Sequence, residues 1–343
     1  MIIKKFTSMG GSHCITNSLK QMFSFYEYQI SEEMLFGLGS GLGFIYLNLH
    51  NSPFISCRIK PFVFEENIGE LLNIEIKVKS SSKKEVALNK LLKNLDVGTP
   101  VMIYGDMVYL PYLNLGTENH FGGHSIVVCG YDIDKKIFYV SDRDAQERAI
   151  HTPQGAVAED YHEITFDDLM KARDSKYRPF PPKNKWIDFD FSEVLEINDV
   201  IIKKAILKNS SDILDAPAHL LGINGIRKFS REILKWNKFP SDKLKISGIT
   251  NYFMIDEKGG TGGGAFRTMY GNFLIEASHF VGDLKNKGNE YLEIGQLWDE
   301  LASMMMNLYE EADYSMLKKM SILIENIAEK EFSAMSELVK IST

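Results

Sequence analysis

Cys14, His124 and Asp142 carry the groups a thiol-based nucleophilic site requires. A thiolate attacks, an imidazole carries the proton, and a carboxylate holds that imidazole in its working tautomer. Cys14 follows Gly10, Gly11, Ser12 and His13 and opens a stretch in which Leu19, Met22, Phe23 and Tyr26 recur at helical spacing. It is therefore expected at a helix start, where unpaired amides and the helix dipole favour negative charge and ease ionisation of a thiol. A cysteine alone is more often an inert core residue, but His124 shifts that balance. It opens the apolar run HSIVVCGYD behind Gly122 and Gly123, a pair that admits another backbone or a substrate closely. The next run, IFYVSD, ends in Asp142, with Asp144 as a rival two residues on. Two antiparallel strands joined at Asp132 to Lys136 bring His124 and Asp142 toward one end of a sheet, which favours Asp142 as the orienting carboxylate.

The elements that must position these groups change character along the chain. Helical periodicity covers roughly residues 14–28, and Ser31 with Glu32 and Glu33 reads as a second helix start. Short β-like runs (FIYLNL, PFISCRI, IEIKV) follow. SSSKKEVALNKLLKNLDVG is an amphipathic helix with Val86, Leu88, Leu91, Leu92 and Leu95 inward and Gly98 ending it. TPVMIYGD, HSIVVCGYD and IFYVSD read as strands, and EITFDDLMKARDS as a helix capped by Thr165. PFPPKNK, from Pro179 to Lys185, can neither continue a helix nor join a central strand, and the chain beyond it reads as almost wholly helical. The expectation is an α+β domain over residues 1–182 and a helical domain over residues 183–343, each of ordinary size.

The order of cysteine at a helix start, histidine opening a strand and aspartate ending the following strand is that of papain-like cysteine peptidases. More specifically, SHCITNSLKQMFSFYEYQISEEMLFGLGSGLGFIY resembles the N-terminal signature of the butirosin biosynthesis protein H family, and GTGGGAFRTMYGNFLIEAS resembles the helical domain that often follows it. The resemblance covers most of the chain. It implies a cysteine-dependent acyltransferase of secondary metabolism, moving an acyl group from a carrier-protein or similar thioester to an amine acceptor. Cys14 is then the nucleophile, His124 the base and Asp142 the orienter, and the helical domain shapes the acceptor pocket or the carrier dock. A hydrolase (peptidase, amidase or thioesterase) on the same triad, or a non-catalytic peptidase-like binding protein, is the alternative. One departure bears on the choice: papain-like peptidases supply a glutamine before the nucleophile as an oxyanion donor, and no glutamine precedes Cys14. Ser8, Ser12 or the amide of Cys14 is left for that role. A thioester, with its better leaving group, needs less help than a peptide bond.

Other features yield plainer readings. Gly37, Gly39, Gly41 and Gly43 alternate after a helix rather than in the G-x-G-x-x-G order of a dinucleotide fold, so a tight connection is expected. Gly259, Gly260, Gly262, Gly263 and Gly264 precede AFRTMY, with Arg267 one turn inside. That pattern suits equally a loop capping a helix and a cradle for a phosphate or carboxylate, and Gly263, Gly264 and Arg267 are the candidates for substrate binding there, beside Ser12 and Gly123 at the first site. His13 and His120 have no partners at metal-ligand spacing, so neither a metal nor another cofactor is expected.

The net charge of −7 without clustered Lys and Arg argues against nucleic acid and anionic membranes as partners. The chain lacks a secretory h-region at its start and an apolar run of membrane-spanning length. Three cysteines make a poor disulfide framework and fit a reducing, cytoplasmic setting. The sequence leaves open whether the chain forms a homo-oligomer.

Overall fold

A computed structural model describes residues 1–49, 52–60, 62–116, 120–142, 150–152, 155–157, 161–178 and 180–343. In chain order, helix α1 (Cys14–Phe25) and helix α2 (Glu32–Leu38) precede a hairpin of β1 (Leu42–Asn48) and β2 (Pro53–Arg58), and helix α3 (Val63–Leu72) follows. Then come β3 (Glu75–Lys79), α4 (Lys84–Asp96), β4 (Val101–Gly105), β5 (His124–Asp132) and β6 (Ile137–Ser141). The short strands β7 (Ile150–Thr152) and β8 (Gly155–Val157) pair with each other before β9 (His162–Thr165), α5 (Phe166–Asp174) and β10 (Trp186–Asp190). The remainder is helical: α6 (Asp199–Leu214), α7 (Gly222–Ile233), α8 (Ser241–Phe253), α9 (Arg267–Ala277), α10 (Leu284–Glu311) and α11 (Leu317–Ser342). The chain thus mixes helix and sheet and ends in a helical region.

Two compact units divide it, and neither is one continuous stretch. The first is Met1–Leu35 with Asn73–Leu195, and the second is Phe36–Leu72 with Glu196–Thr343. The expected division into 1–182 and 183–343 follows the composition break at the prolines. The packing instead carries the chain through β10 before it leaves the first unit. WIDFD forms β10 between β3 and β4, pairing Ile187 with Val78 on one side and with Met102 on the other.

The first unit is built on an antiparallel sheet of order β3-β10-β4-β5-β6-β9. Every residue of β4 and the first seven of β5 are buried. Because successive strand side chains point to opposite faces, that pattern requires cover on both faces. Helices α1 and α4 pack on β5 and β4, and α5 packs on β4, β6 and β9. Ile15, Leu19, Met22 and Phe23 seat α1 on the sheet, at roughly 1.5–3 kcal/mol for each buried side chain. In α4 the inward residues are Ala87, Leu91 and Leu95, whereas Val86 is exposed, so the apolar stripe lies one position away from the face expected at that end. Thr165 caps α5 as expected, its hydroxyl accepting the amide of Asp168 at 3.0 Å.

In the second unit the β1–β2 hairpin lies against α7 and α8, and the glycine alternation before it permits close approach. A Cβ at Gly43 would meet the backbone of Arg58 and Ile59 at 2.8–3.0 Å. The core is pinned by Arg267, fully buried, whose Nε and Nη2 reach Glu331 at 2.8 and 2.9 Å. Trp298 donates its indole N–H to the same carboxylate at 2.9 Å.

Candidate active site

Strand register brings the first unit's polar groups together. Gly105 pairs with His124 across β4 and β5, while Val127 pairs with Ser141 across β5 and β6. Continuing the second ladder one step sets Asp142 opposite Ile126. His124, two residues from Ile126 on the same strand, therefore presents its side chain on the face that Asp142 uses. Such a diagonal pair is within reach of long polar side chains. Oδ2 of Asp142 stands 2.7 Å from Nε2 of His124 and accepts the hydroxyl of Tyr112 at 3.0 Å. Burial lowers the basicity of His124, but the charge and hydrogen bond of Asp142, together with Cys14, carry it well above the ordinary imidazole value. Burial, then the charge and bond of Asp142, push the Tyr112 hydroxyl well above its own, so it stays a donor. The backbone carbonyl of Asp142 is 3.2 Å from Nε2 of His162, whose ring stacks on Tyr112 with centroids 4.1 Å apart.

Cys14 is the first residue of α1, half-buried and free of any disulfide. Two imidazoles, those of His124 and His13, act on its thiol. Burial pushes the thiol up. The charge of His13, hydrogen bonds with His124 and His13, and the charge of His124 together bring it well below the ordinary thiol value. With Nε2 of His124 held by Asp142, Nδ1 is the nitrogen left for sulfur. Cys57 and Cys129 are fully buried and pushed up to about 12 by burial, which marks them as packing residues.

The approach to Cys14 is held by a carboxylate that periodicity did not single out. Glu32, in the first turn of α2, accepts the amides of Ser12 at 2.7 Å and His13 at 3.3 Å and the hydroxyl of Thr16 at 2.6 Å. Burial raises it above the ordinary carboxyl range, although Thr16, Lys20 and the two amides oppose the shift. On another side, Ser141 donates to Oε1 of Gln21 at 2.6 Å and shares a 2.6 Å bond with the Ser8 hydroxyl. This network engages some of the groups expected as oxyanion donors. The Ser8 hydroxyl and Ser12 amide are engaged, while the Cys14 amide has no hydrogen-bond acceptor among the described residues, as the first turn of a helix allows.

A second carboxylate–imidazole pair was also missed. Asp106, at the end of β4 and fully buried, stands 2.8 Å from Nδ1 of His120 and accepts the amide of Phe121 at 3.1 Å and the hydroxyl of Ser175 at 2.6 Å. It anchors the loop that delivers His124. Gly122 in that loop lies so close to the Phe180 carbonyl that a Cβ would meet it at 2.3 Å. The spacing of Asp106 and His120 carries no periodic signal, and only the return of the loop to the end of β4 joins them.

The structure draws Ser12, Cys14, Gly123, His124 and Asp142 into one region of the first unit. Gly123 is buried just before His124. Gly263, Gly264 and Arg267 lie in the second unit, and their donors are spent internally. The Gly263 amide goes to Thr261 at 3.2 Å and the Gly264 amide to Asp299 at 2.8 Å. Besides Glu331, Arg267 gives Nη1 to the carbonyls of Cys57 and Ala265 and Nη2 to that of Gly43. All five guanidinium donors are thereby used, so the anion cradle expected at Arg267 is instead a structural ion pair. Asp144, the rival orienter, lies outside the described residues. Among the described residues no group of three or more His, Cys, Asp or Glu is disposed to hold a metal ion, and no helix is long and apolar enough to cross a membrane.

Residues 13–143 match the family model described as butirosin biosynthesis protein H, N-terminal. Residues 167–338 match a domain of unknown function, DUF4872. No curated protein matches the sequence.

Proposed function

We propose, for a chain that belongs to the butirosin biosynthesis protein H family, a cysteine-dependent acyl transfer in which Cys14 carries the acyl group. The observation that carries this reading is the linked series of Cys14, His124 and Asp142, with a 2.7 Å bond between the last two and a thiol held well below its ordinary value. A helix bearing the nucleophile at its first residue, packed on an antiparallel sheet whose strands supply base and carboxylate, is the arrangement of papain-like enzymes and supports that fold assignment. The family's name supports a role in the biosynthesis of a secondary metabolite.

The reaction has two steps. Cys14 sulfur, ionised against His124, adds to the carbonyl carbon of an acyl thioester offered by a carrier protein or a small thiol. The amide of Cys14 donates to the developing oxyanion. The intermediate collapses with loss of the donor thiolate, which takes the proton from the His124 imidazolium, leaving an acyl-Cys14 thioester. An amine acceptor then attacks the same carbon, His124 takes its proton, and Cys14 leaves as thiolate. Asp142 keeps Nε2 of His124 occupied throughout, so Nδ1 faces the reacting atoms. The helical unit, in this reading, binds the acceptor or the carrier, and the three free thiols suit a reducing cytoplasm.

Intact-mass analysis after exposure to a panel of acyl thioesters tests the proposal. An adduct of one acyl group on the wild-type chain, lost in Cys14→Ser and discharged by an amine, is expected. No adduct with any donor, or an equal adduct in Cys14→Ser, overturns it, and discharge to the free acid alone makes the protein a hydrolase.

A further inference from the structure

The residue whose carboxylate holds His124 is itself held from two sides. Tyr112 sits in a single 3-10 turn, Pro111–Leu113, which Pro111 opens and the left-handed Asn114 (φ 48°) closes. Leu113 is buried and anchors the turn, which lies against β9. Val140 pairs with His162 across β6 and β9. Asp142, two residues beyond Val140, therefore projects from the same face of the sheet as His162. The His162 ring lies 10° from parallel with that of Tyr112, and its Nε2 is 3.2 Å from the Asp142 carbonyl. A carbonyl only accepts, so the hydrogen of that bond is on Nε2. Tyr112 is thus pinned, ring against ring, beside the backbone of the residue it serves. Its hydroxyl donates to Oδ2 of Asp142 at 3.0 Å, and Oδ2 is also the oxygen that Nε2 of His124 meets at 2.7 Å. Two donors draw on one oxygen.

Resting on the acyl-transfer reading, we infer that Tyr112 is a positioning residue that shares Oδ2 of Asp142 with His124 and so limits how tightly the carboxylate holds the imidazole. A hydrogen bond donated to a carboxylate stabilises its charge and leaves less of that charge for a second donor. The reaction calls for such a limit. His124 must release its proton to the departing donor thiolate in the first step and take one from the amine in the second. An imidazolium bound too tightly gives up its proton slowly. Tyr112 neither gains nor loses a proton: its O–H stays a donor while sulfur, acyl carbon and amine exchange bonds. The ionisable groups around this assembly are Cys14 at the start of α1 with His13 before it, His162 from β9, and, across the loop that leads into His124, Asp106 with His120. Among the described residues, only His124 and Tyr112 bond Oδ2 itself.

The test follows the imidazole directly and needs no acyl donor. The full chain is labelled with ¹³Cε1-histidine in a Cys14→Ala background. The His124 signal, identified by its loss in His124→Gln, is titrated by NMR from pH 5 to 10. Tyr112→Phe removes the hydroxyl and keeps a ring to stack on His162. It is expected to move the His124 midpoint up by about 0.5–1 pH unit, part of what a whole bond to a charged group gives and opposite in sign to the loss of Asp142. 3-Fluorotyrosine in place of Tyr112, a stronger donor of nearly the same shape, moves the midpoint down by less. A residue that only filled space would leave the midpoint in place in both. An unmoved or lowered midpoint in folded Tyr112→Phe overturns the inference and leaves the acyl-transfer reading standing. If Tyr112→Phe does not fold, the fluorinated chain decides: a lowered midpoint supports the inference, and an unmoved or raised one overturns it. Midpoints that move as expected, beside a wild-type chain that forms no acyl adduct, overturn the acyl-transfer reading and leave the sharing of Asp142 standing.

Discussion

Replacing Asp142 by Asn keeps the shape beside His124 and removes the charge, while replacing it by Ala removes the hydrogen bond as well. The carboxylate accepts Nε2 of His124 at 2.7 Å and Tyr112 at 3.0 Å in buried surroundings, and its charge and bond outweigh the burial that would lower His124. A hydrogen bond to a charged group contributes about 1.5–3 kcal/mol. At ~1.4 kcal/mol per decade, the Ala variant lowers the basicity of His124 by about one to two pH units. Asn retains an acceptor without the charge, roughly half the effect of a charge-assisted bond, so a shift of well under one to about one unit is expected. The assay is the rate of acyl adduct formation on Cys14 with one small thioester from pH 5 to 10. Its alkaline limb reports loss of the imidazolium that protonates the leaving thiolate. That limb should move down in the order wild type, Asn, Ala, with Ala about 10–100-fold slower at pH 8. His124 is raised in the folded state, so its contribution to stability is complete below about pH 6.5 and fades as pH rises through the folded value. Both variants should therefore be destabilised at pH 6 and approach wild type at high pH. An alkaline limb that stays in place in both would refute the assignment of Asp142.

At neutral pH, iodoacetamide should label Cys14 alone and leave Cys57 and Cys129 untouched until the chain is unfolded, which peptide mass mapping checks. Glu331→Ala strands the fully buried Arg267 without its counter-charge and should cost about 3–5 kcal/mol, read as a lower urea midpoint of the full chain by tryptophan fluorescence. Gly122→Ala drives a Cβ to 2.3 Å from the Phe180 carbonyl. Backbone displacement of that kind costs about 1–3 kcal/mol, and because the loop leads into His124, melting temperature and Cys14 acylation rate should fall together.

Cys14, His124 and Asp142 were legible in the sequence because each sits where a local pattern begins or ends. Helical periodicity starts at Cys14, a strand run starts at His124, and the short Asp132–Lys136 turn nearly fixes the register that brings Asp142 back beside it. Period and register say which face a residue occupies, and for adjacent strands that also says which residue it meets. They do not say what meets that face from elsewhere in the chain. Glu32 reads as an ordinary acidic residue in a helix's first turn until α2 turns back on the loop before Cys14. Arg267 reads as an anion site until α11 brings Glu331 to it across 64 residues. The prolines after residue 178 mark a change in composition, yet the sheet claims β10 beyond them, because the unpaired edges of β3 and β4 need a partner. Buried donors and charges must find complements, and which ones they find is settled only when the chain closes on itself.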